Sequence, residues 1–356
     1  MPARDRVPAR PGQGGRPTSG SRAVGGTRTG SGADRRRTRP TGTPATDTLV
    51  AGPVPVAARV AGLLLLLAGL VGVAAVFPTY LVVGGTGVSP VTGPGDAVVA
   101  LAAPVATSAV AVGLLLGRVA RLGLAYAAVS GALAVGRLLI ELYQGHGSTT
   151  RPAVEVLAGE RVLTSSVQTA PGWVLGVVAL SLTVLAGVLA MLAWGRTVLE
   201  DSGAVDPLRP RLAGGAAVIG VFAVLCLALP AADVPDQVVV DPLTGMETVV
   251  TAEGPQALLE RPGLALLGGL LLAGALLLCA VVAPSLRPRL ATVGGLLGVT
   301  VFLLSAALTG LRDARHSADL DWTVPGAGLL VLGVAAAGLT LLAWRWRAGG
   351  RAPAEV

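Results

Sequence analysis

Two opposite charges four residues apart interrupt one long apolar stretch of the chain. Arg137 and Glu141 fall inside the run Leu122–Leu142, and no other charge lies as clearly within such a run. Four residues make about one helical turn, so the two side chains would share a face and could pair. At about 1.5 Å per residue from Leu122, Arg137 lies ~22 Å and Glu141 ~28 Å along the helix, near one membrane interface. Two interpretations stay open: a structural pair at the interface, or part of a polar path or binding site.

Neutral polar side chains extend these charges into a candidate seam. Tyr126 and Ser130 occupy the same predicted helix, and Thr107 and Ser108 occupy the preceding one. Pro104 frees a backbone carbonyl close to them, because proline lacks the N–H that would bond to it. The candidate site is a polar seam between two neighbouring helices, formed by Arg137, Glu141, Tyr126, Ser130, Thr107 and Ser108.

Residues that commonly hold metals or cofactors are few. Cys226 and Cys279 are predicted at different membrane depths, too far apart for a disulfide. His146 and His316 both fall in predicted loops, and the chain offers no zinc or haem ligand set. We expect no metal and no cofactor, and we identify no catalytic residue or nucleotide-binding motif.

The composition is that of a polytopic membrane protein. Of 356 residues, 53% are hydrophobic and 13% are charged, whereas soluble domains carry about 25% charged residues. Each long apolar run is near the ~20 residues that a helix needs to cross a bilayer. Eight spans are predicted: Val56–Phe77, Ala97–Gly117, Leu122–Leu142, Gly172–Trp194, Leu212–Ala231, Gly263–Pro284, Leu290–Gly310 and Gly326–Trp344.

The distribution of arginine predicts the orientation. With both termini in the cytoplasm, 21 arginines lie on the inner side and five on the outer side. Positively charged residues are enriched on the cytoplasmic side of membrane proteins. The tight turn containing Arg287 and Arg289, between the sixth and seventh spans, fits only the cytoplasmic face. We therefore predict a multi-pass protein of the cell membrane.

The amino-terminal segment differs from the rest in composition. Residues 1–55 are rich in Gly, Pro, Ser, Thr and Arg and poor in large apolar side chains, which predicts a disordered basic tail. Such a tail could contact anionic lipid, whereas the absence of interleaved aromatic residues argues against nucleic acid. The predicted organisation is this tail, a membrane domain at 56–344 and a short cytoplasmic tail at 345–356, with outer loops near 78–95, 143–171, 232–262 and 311–325.

The two longest outer loops each contain two short runs rich in β-branched residues. The pairs are Ala153–Leu157 with Val162–Gln168, and Val238–Asp241 with Glu247–Thr251. Turn-forming residues separate the runs, which is typical of β-hairpins. The predicted fold class is an all-α integral membrane bundle of eight helices with small extracytoplasmic β-hairpins and a disordered amino-terminal tail.

A unit of two helices recurs four times. Inward-running helices begin near Pro-Gly, and outward-running helices begin near Arg59, Arg121, Arg211 and Arg289. Duplication of a helical hairpin and convergence on one topology both explain this pattern. Small residues at four-residue spacing also predict close helix packing, with candidates Gly113, Gly117, Gly269, Gly294 and Gly298.

These features leave three hypotheses for function. The leading one is a non-enzymatic scaffold or partner subunit of the bacterial cell envelope, which would contact another membrane protein through its outer loops. The alternative is a transporter or lipid-handling protein that uses the seam around Arg137 and Glu141. The third, a membrane-embedded transferase, depends on the loop carboxylates Asp313, Asp319 and Asp321.

Overall fold

A computed structural model describes residues 50–51, 54–146, 154–157, 160–163, 167–197, 199–200, 207–233, 237–240, 247–250, 263–316 and 321–346. Its long helices follow the apolar runs of the sequence. Eight of them are long and apolar enough to cross a membrane, as predicted. They are α1 Val56–Ala75, α2 Pro94–Leu115, α3 Ala120–Gln144, α4 Pro171–Trp194, α5 Arg209–Ala228, α6 Leu264–Val282, α7 Arg289–His316 and α8 Val324–Arg345.

The seventh helix continues beyond its predicted end. We expected it to stop at Gly310 and a loop to follow at 311–325, but α7 runs to His316. The apolar run marks only the part that suits hydrocarbon, and a helix can continue past it once its polar side chains find partners. Arg312 does so, because it forms an ion pair with Asp313 at 2.6 Å.

Short strands connect the helix ends. They are β1 Val50–Ala51, β2 Leu81–Val83, β3 Thr86–Val88, β4 Val154–Leu157, β5 Glu160–Leu163, β6 Val167–Thr169, β7 Leu199–Glu200, β8 Ala232–Asp233, β9 Gln237–Val240, β10 Glu247–Val250 and β11 Asp321–Trp322. Among the described residues the strand pairings are antiparallel: β4 with β5, β9 with β10, β1 with β7, β8 with β11, and β2 with both β3 and β6.

One predicted strand is divided in the structure. We expected Val162–Gln168 to form a single strand, but its first residues belong to β5 and its last to β6. The two parts have different partners, since β5 pairs with β4 while β6 pairs with β2, which follows α1. A partner so distant in sequence leaves no local signal.

Helices α3 and α7 form the centre of the bundle. Their spans are 61% and 67% buried, against at most 39% for each of the other six. Glycine lets the two backbones approach closely, because a Cβ on Gly294 would overlap the carbonyl group of Leu122. One turn further along α7, a Cβ on Gly298 would lie 2.8 Å from Cγ1 of Val129.

The other candidate packing glycines have different roles. Gly269 is buried on α6, but the close contact with α3 is made by its neighbour, Gly268, against Gly136. Gly117 follows the end of α2 and has a φ of 70°. We predicted that it packs against a second helix, and it does not. Gly113 faces Val119, in the turn that leads to α3. The Gly113–Gly117 pair therefore terminates a helix and shapes the turn that follows.

The first half of the bundle (α1–α4) and the second half (α5–α8) repeat the same contacts. In the first half α1 packs on α2 and α4, and α3 packs on α4; in the second α5 packs on α6 and α8, and α7 packs on α8. The contact of α3 with α6 has its counterpart in α7 with α2. Strands repeat as well, since β2–β6 and β8–β11 join equivalent positions.

Arginines at helix starts bind carbonyls at the ends of the following helices. Arg121 donates to the carbonyl of Thr197, which follows α4. Arg289 donates to that of Trp346, after α8, at 2.7 Å. Arg209 contacts the carbonyls of residues 284–286, after α6, at 2.9 to 3.4 Å. Carbonyls at a helix carboxyl end lack intrahelical partners, so each of these guanidinium groups stabilises one helix end.

Candidate functional site

A cavity of about 330 Å³ lies among α1, α2, α3, α4 and α7. Alanine and glycine are the commonest lining residues on α1, α2 and α4, so these helices leave space beside α3. Side chains from all five helices and from the connection between α1 and α2 line it. The lining residues used below are Ala103, Thr107, Tyr126, Ser130, Arg137, Glu141, Gly176, Ala179, Phe302, Ser305, Thr309, Tyr80 and Pro90.

Five of the six predicted seam residues line this cavity. Tyr126, Ser130, Arg137 and Glu141 recur at helical spacing along α3, and Thr107 faces them from α2. The sixth, Ser108, lies elsewhere: its hydroxyl donates to the carbonyl of Pro104 at 2.9 Å and faces Gly69 of α1. Adjacent residues on a helix point about 100° apart, so one of the pair had to leave the seam.

Tyr126 and Thr107 join α3 and α2 at one end of the cavity. Tyr126 is 1% exposed, although its hydroxyl is polar. That hydroxyl lies 2.8 Å from Oγ1 of Thr107, which in turn donates to the carbonyl of Ala103 at 2.9 Å. The buried hydroxyl groups therefore have partners, which removes most of the free-energy cost of burying them.

Arg137 and Glu141 do not form the direct ion pair that their spacing allows. In the part of the chain that the structure describes, the two have no nitrogen–oxygen contact within 4.0 Å, although their charges interact at longer range. The carboxylate lies beside α4, with Oε1 3.4 Å from the position of a Cβ on Gly176, and it also interacts with Tyr80. The side chain of Arg137 is exposed and lines the cavity.

Aromatic and amide side chains fix the end of α3 near Glu141. Trp173, on α4, donates its indole N–H to the carbonyl of Glu141 at 2.9 Å. Tyr80 donates its hydroxyl to Oε1 of Gln144 at 2.7 Å. These bonds connect the end of α3 to α4 and to the connection after α1, so the backbone that carries Glu141 is held on two sides.

The second half of the chain supplies one wall of the cavity. Phe302, Ser305 and Thr309 line it from α7. Arg312, further along α7, donates to the carbonyl of Pro90 at 3.0 Å, and Pro90 itself lines the cavity. Sequence reasoning missed these residues, although Ser305 and Thr309 repeat on α7 the four-residue spacing of Arg137 and Glu141.

The loop carboxylates do not come together as a catalytic group in the described residues. Asp313 lies on α7 in its ion pair with Arg312, Asp321 begins β11, and Asp319 lies outside the described residues. No group of three or more His, Cys, Asp or Glu able to hold a metal occurs within the described ranges. Both cysteines are free, one on α5 and one on α6.

Comparison with known proteins gives no relative. No family model, curated protein or solved structure matches this chain. An apolar cavity with a cation, a carboxylate and several hydroxyl groups along one wall suits reversible binding of a molecule that has both apolar and polar parts.

Proposed function

We propose that this protein is a multi-pass protein of the cell membrane that binds an amphiphilic ligand in the cavity beside α3, as a transporter or lipid-handling protein. Both termini lie in the cytoplasm, and the strands between α3 and α4 and between α5 and α6 lie outside. The arginine distribution supports this orientation, with 21 arginines inside and five outside.

The main observation behind the proposal is that two charged side chains line a cavity within a bundle of apolar helices. Arg137 and Glu141 both line the cavity without contacting each other. Keeping a charge within a membrane span is costly, and such residues mark substrate paths and binding sites. A purely structural pair would gain most from direct contact, which these two residues do not make.

Photo-crosslinking tests the proposal on the full chain purified in mild detergent. The probe is a phosphatidylethanolamine with a diazirine and an alkyne in one acyl chain, and mass spectrometry maps the labelled peptides. We expect labelling of peptides from α3, α4 and α7 that contain cavity-lining residues. Labelling confined to the outward faces of the bundle would contradict a binding cavity.

A matched pair of variants separates the cavity from the lipid-facing surface. Ala179→Leu adds a large side chain to the cavity wall, whereas Ala335→Leu adds the same atoms to an exposed position on α8. We expect the first change to lower cavity labelling by about tenfold, the loss of ~1.4 kcal/mol of binding free energy. The second should leave it unchanged, and equal labelling of both variants contradicts the proposal.

The orientation is tested separately. Reporter domains that are active only outside the cytoplasm, fused at Ser148 and Thr244, should be active in whole cells. A non-permeant thiol label should react with single cysteines placed at the same two positions in a variant lacking Cys226 and Cys279. Activity of reporters that work only in the cytoplasm, fused at those positions, would contradict the proposed orientation.

The scaffold hypothesis remains a second candidate. The antiparallel pairs β4–β5 and β9–β10 favour it, since paired strands can present a defined surface on the predicted outer side. Crosslinking in intact membranes followed by affinity purification should recover one partner in fixed proportion. Recovery of the chain without any partner, repeated at higher crosslinker concentration, would exclude this candidate.

A further inference from the structure

Two charged side chains of the cavity differ in how well they are anchored. The carboxylate of Glu141 lies between α4 and Tyr80, and Trp173 holds the backbone carbonyl of the same residue. Arg137, one turn earlier on α3, has an exposed side chain on the cavity and no hydrogen bond or ion pair to another described residue. Its N–H groups are therefore available to a ligand.

Electroneutrality restricts the ligand. When both are ionised, Arg137 and Glu141 together carry no net charge, so the cavity is balanced without a ligand. A purely anionic ligand on Arg137 would add an unmatched negative charge beside Glu141, and a purely cationic ligand on Glu141 would do the reverse. Unmatched charge in a low-dielectric site is costly. A ligand that carries one charge of each sign keeps the balance.

We infer that the site recognises a zwitterion, with the anionic group of the ligand on Arg137 and its ammonium group at Glu141. This inference rests on the proposed function. Residues four apart on a helix have Cβ atoms about 6 Å apart, a spacing that a phosphate or carboxylate and a nearby ammonium group can bridge. The guanidinium can bind the anionic group through two N–H groups at once.

Helix α7 adds hydroxyl groups to the same cavity. Ser305 and Thr309 line it, and because the hydroxyl of Ser305 donates to the carbonyl of Phe302 at 2.8 Å, Ser305 can offer a ligand its oxygen as an acceptor. Alanine and glycine on α1, α2 and α4 provide apolar surface for an attached chain. Two sources share this chemistry: the phosphoethanolamine head group of a lipid, and a free amino acid or aminophosphate.

Competition on the unmodified chain tests the inference. The crosslinking probe is displaced by lipids with identical acyl chains: phosphatidylethanolamine, phosphatidylglycerol and diacylglycerol. We expect phosphatidylethanolamine to compete about tenfold better than either of the others. Free phosphoethanolamine and glycine form a further arm, and displacement by either at a concentration similar to that of the lipid assigns the ligand to the soluble class.

The possible outcomes separate the two claims. Cavity labelling with equal competition by the three lipids overturns the zwitterion inference and leaves the proposed function standing. Stronger competition by phosphatidylglycerol also overturns it, in favour of an anionic ligand. Failure of the probe to label the cavity at all contradicts the proposed function itself.

Charge-neutral variants assign the two ends of the ligand. Glu141→Gln should remove the preference for phosphatidylethanolamine over phosphatidylglycerol, because the ammonium group loses its partner while the phosphate keeps Arg137. Arg137→Gln should weaken the binding of both phospholipids by about tenfold, so that they compete about as poorly as diacylglycerol. An unchanged preference in both neutral variants overturns the assignment.

Discussion

The two halves of the bundle share their helix contacts and differ in what fills the space between the helices. In the second half, large side chains such as Leu272, Leu276, Leu303 and Leu329 pack into one apolar core. The first half also has an apolar core, around Leu65, Leu114 and Leu124, but beside α3 it borders a cavity of about 330 Å³ in whose lining alanine and glycine are the commonest residues. Similar helix arrangements therefore enclose a packed core in one half and border the proposed ligand cavity in the other, because alanine and glycine leave space that leucine fills.

The halves also differ in the polar groups that they enclose. The second half buries Thr300 and Thr340, whose hydroxyl groups lie 3.1 Å apart and also bond to carbonyls of their own helices. Such a pair is satisfied within the protein and needs no ligand. The first half instead places Arg137 and Glu141 on a cavity without mutual contact. Polar groups thus join helices in both halves, since Tyr126 and Thr107 do so in the first, but only the first half also has these two charged side chains on a cavity.

Placing a large side chain between α3 and α7 should have the largest effect on stability, since these helices join the two halves. Gly294→Leu forces a side chain into the backbone of Leu122 and should lower the free energy of unfolding by more than ~3 kcal/mol. Gly274→Leu, on α6, is the control because a Cβ there meets nothing within 4 Å. Unfolding of both variants in detergent by increasing denaturant measures the difference. Similar stabilities would show that the close approach is not needed.

Adding the same side chain to each interior directly tests the difference between the halves. Ala307→Leu enlarges a residue that is 1% exposed in the packed core of the second half, and should cost ~2 kcal/mol of unfolding free energy. Ala179→Leu projects into the cavity of the first half and should change stability by less than ~0.5 kcal/mol. Denaturant unfolding checks both values. A larger loss at Ala179 would mean that the cavity is not open space.

Two equivalent arginines should differ in how much they stabilise. Arg121 is buried, binds the carbonyl of Thr197 and lies over the ring of Trp194 with 4.6 Å to its centroid, so Arg121→Ala should cost ~2 kcal/mol. Arg289→Ala removes the bond to Trp346 and should cost ~1 kcal/mol. Thermal unfolding followed by tryptophan fluorescence measures the two losses. The reverse ranking would contradict a role for the aromatic contact.

A loss similar to that for Arg289→Ala is expected at the hydroxyl contact at the end of the cavity. Tyr126→Phe and Thr107→Val each remove one side of the 2.8 Å contact and should cost ~1 kcal/mol. The double variant should lose less than the sum of the two, because the second change removes a bond already broken. Chemical unfolding of all three variants gives the coupling. Strict additivity would show that the hydroxyl groups do not interact.

Much of the helical architecture follows from the sequence because hydropathy is local information. A membrane span needs only enough consecutive apolar residues, so all eight spans were predicted. The end of α7 beyond Gly310 was not predicted, because it is polar. Strand β6 was misassigned for a related reason. Its partner, β2, comes from another part of the chain, and no pattern within Val162–Gln168 indicates it.

The candidate site was predictable where it follows one helix. Tyr126, Ser130, Arg137 and Glu141 recur at the helical period on α3, so periodicity alone placed them on one face. The wall contributed by α7 was not predictable, because the contact between α3 and α7 depends on packing across the whole bundle. Ser108 was assigned to the seam for the same reason: the sequence does not show how the helices pack, and its hydroxyl lies against α1.

The participation of α7 in the cavity has a consequence for biosynthesis. Nearly 100 residues separate the end of α4 from the start of α7. At the usual rates of protein synthesis, ~5–20 residues per second, the ribosome needs on the order of 5 to 20 s to make that stretch. During that interval α1–α4 have been translated while the wall bearing Ser305 and Thr309 does not yet exist. Nascent chains arrested before α7 should therefore insert into the membrane but lack a complete pocket.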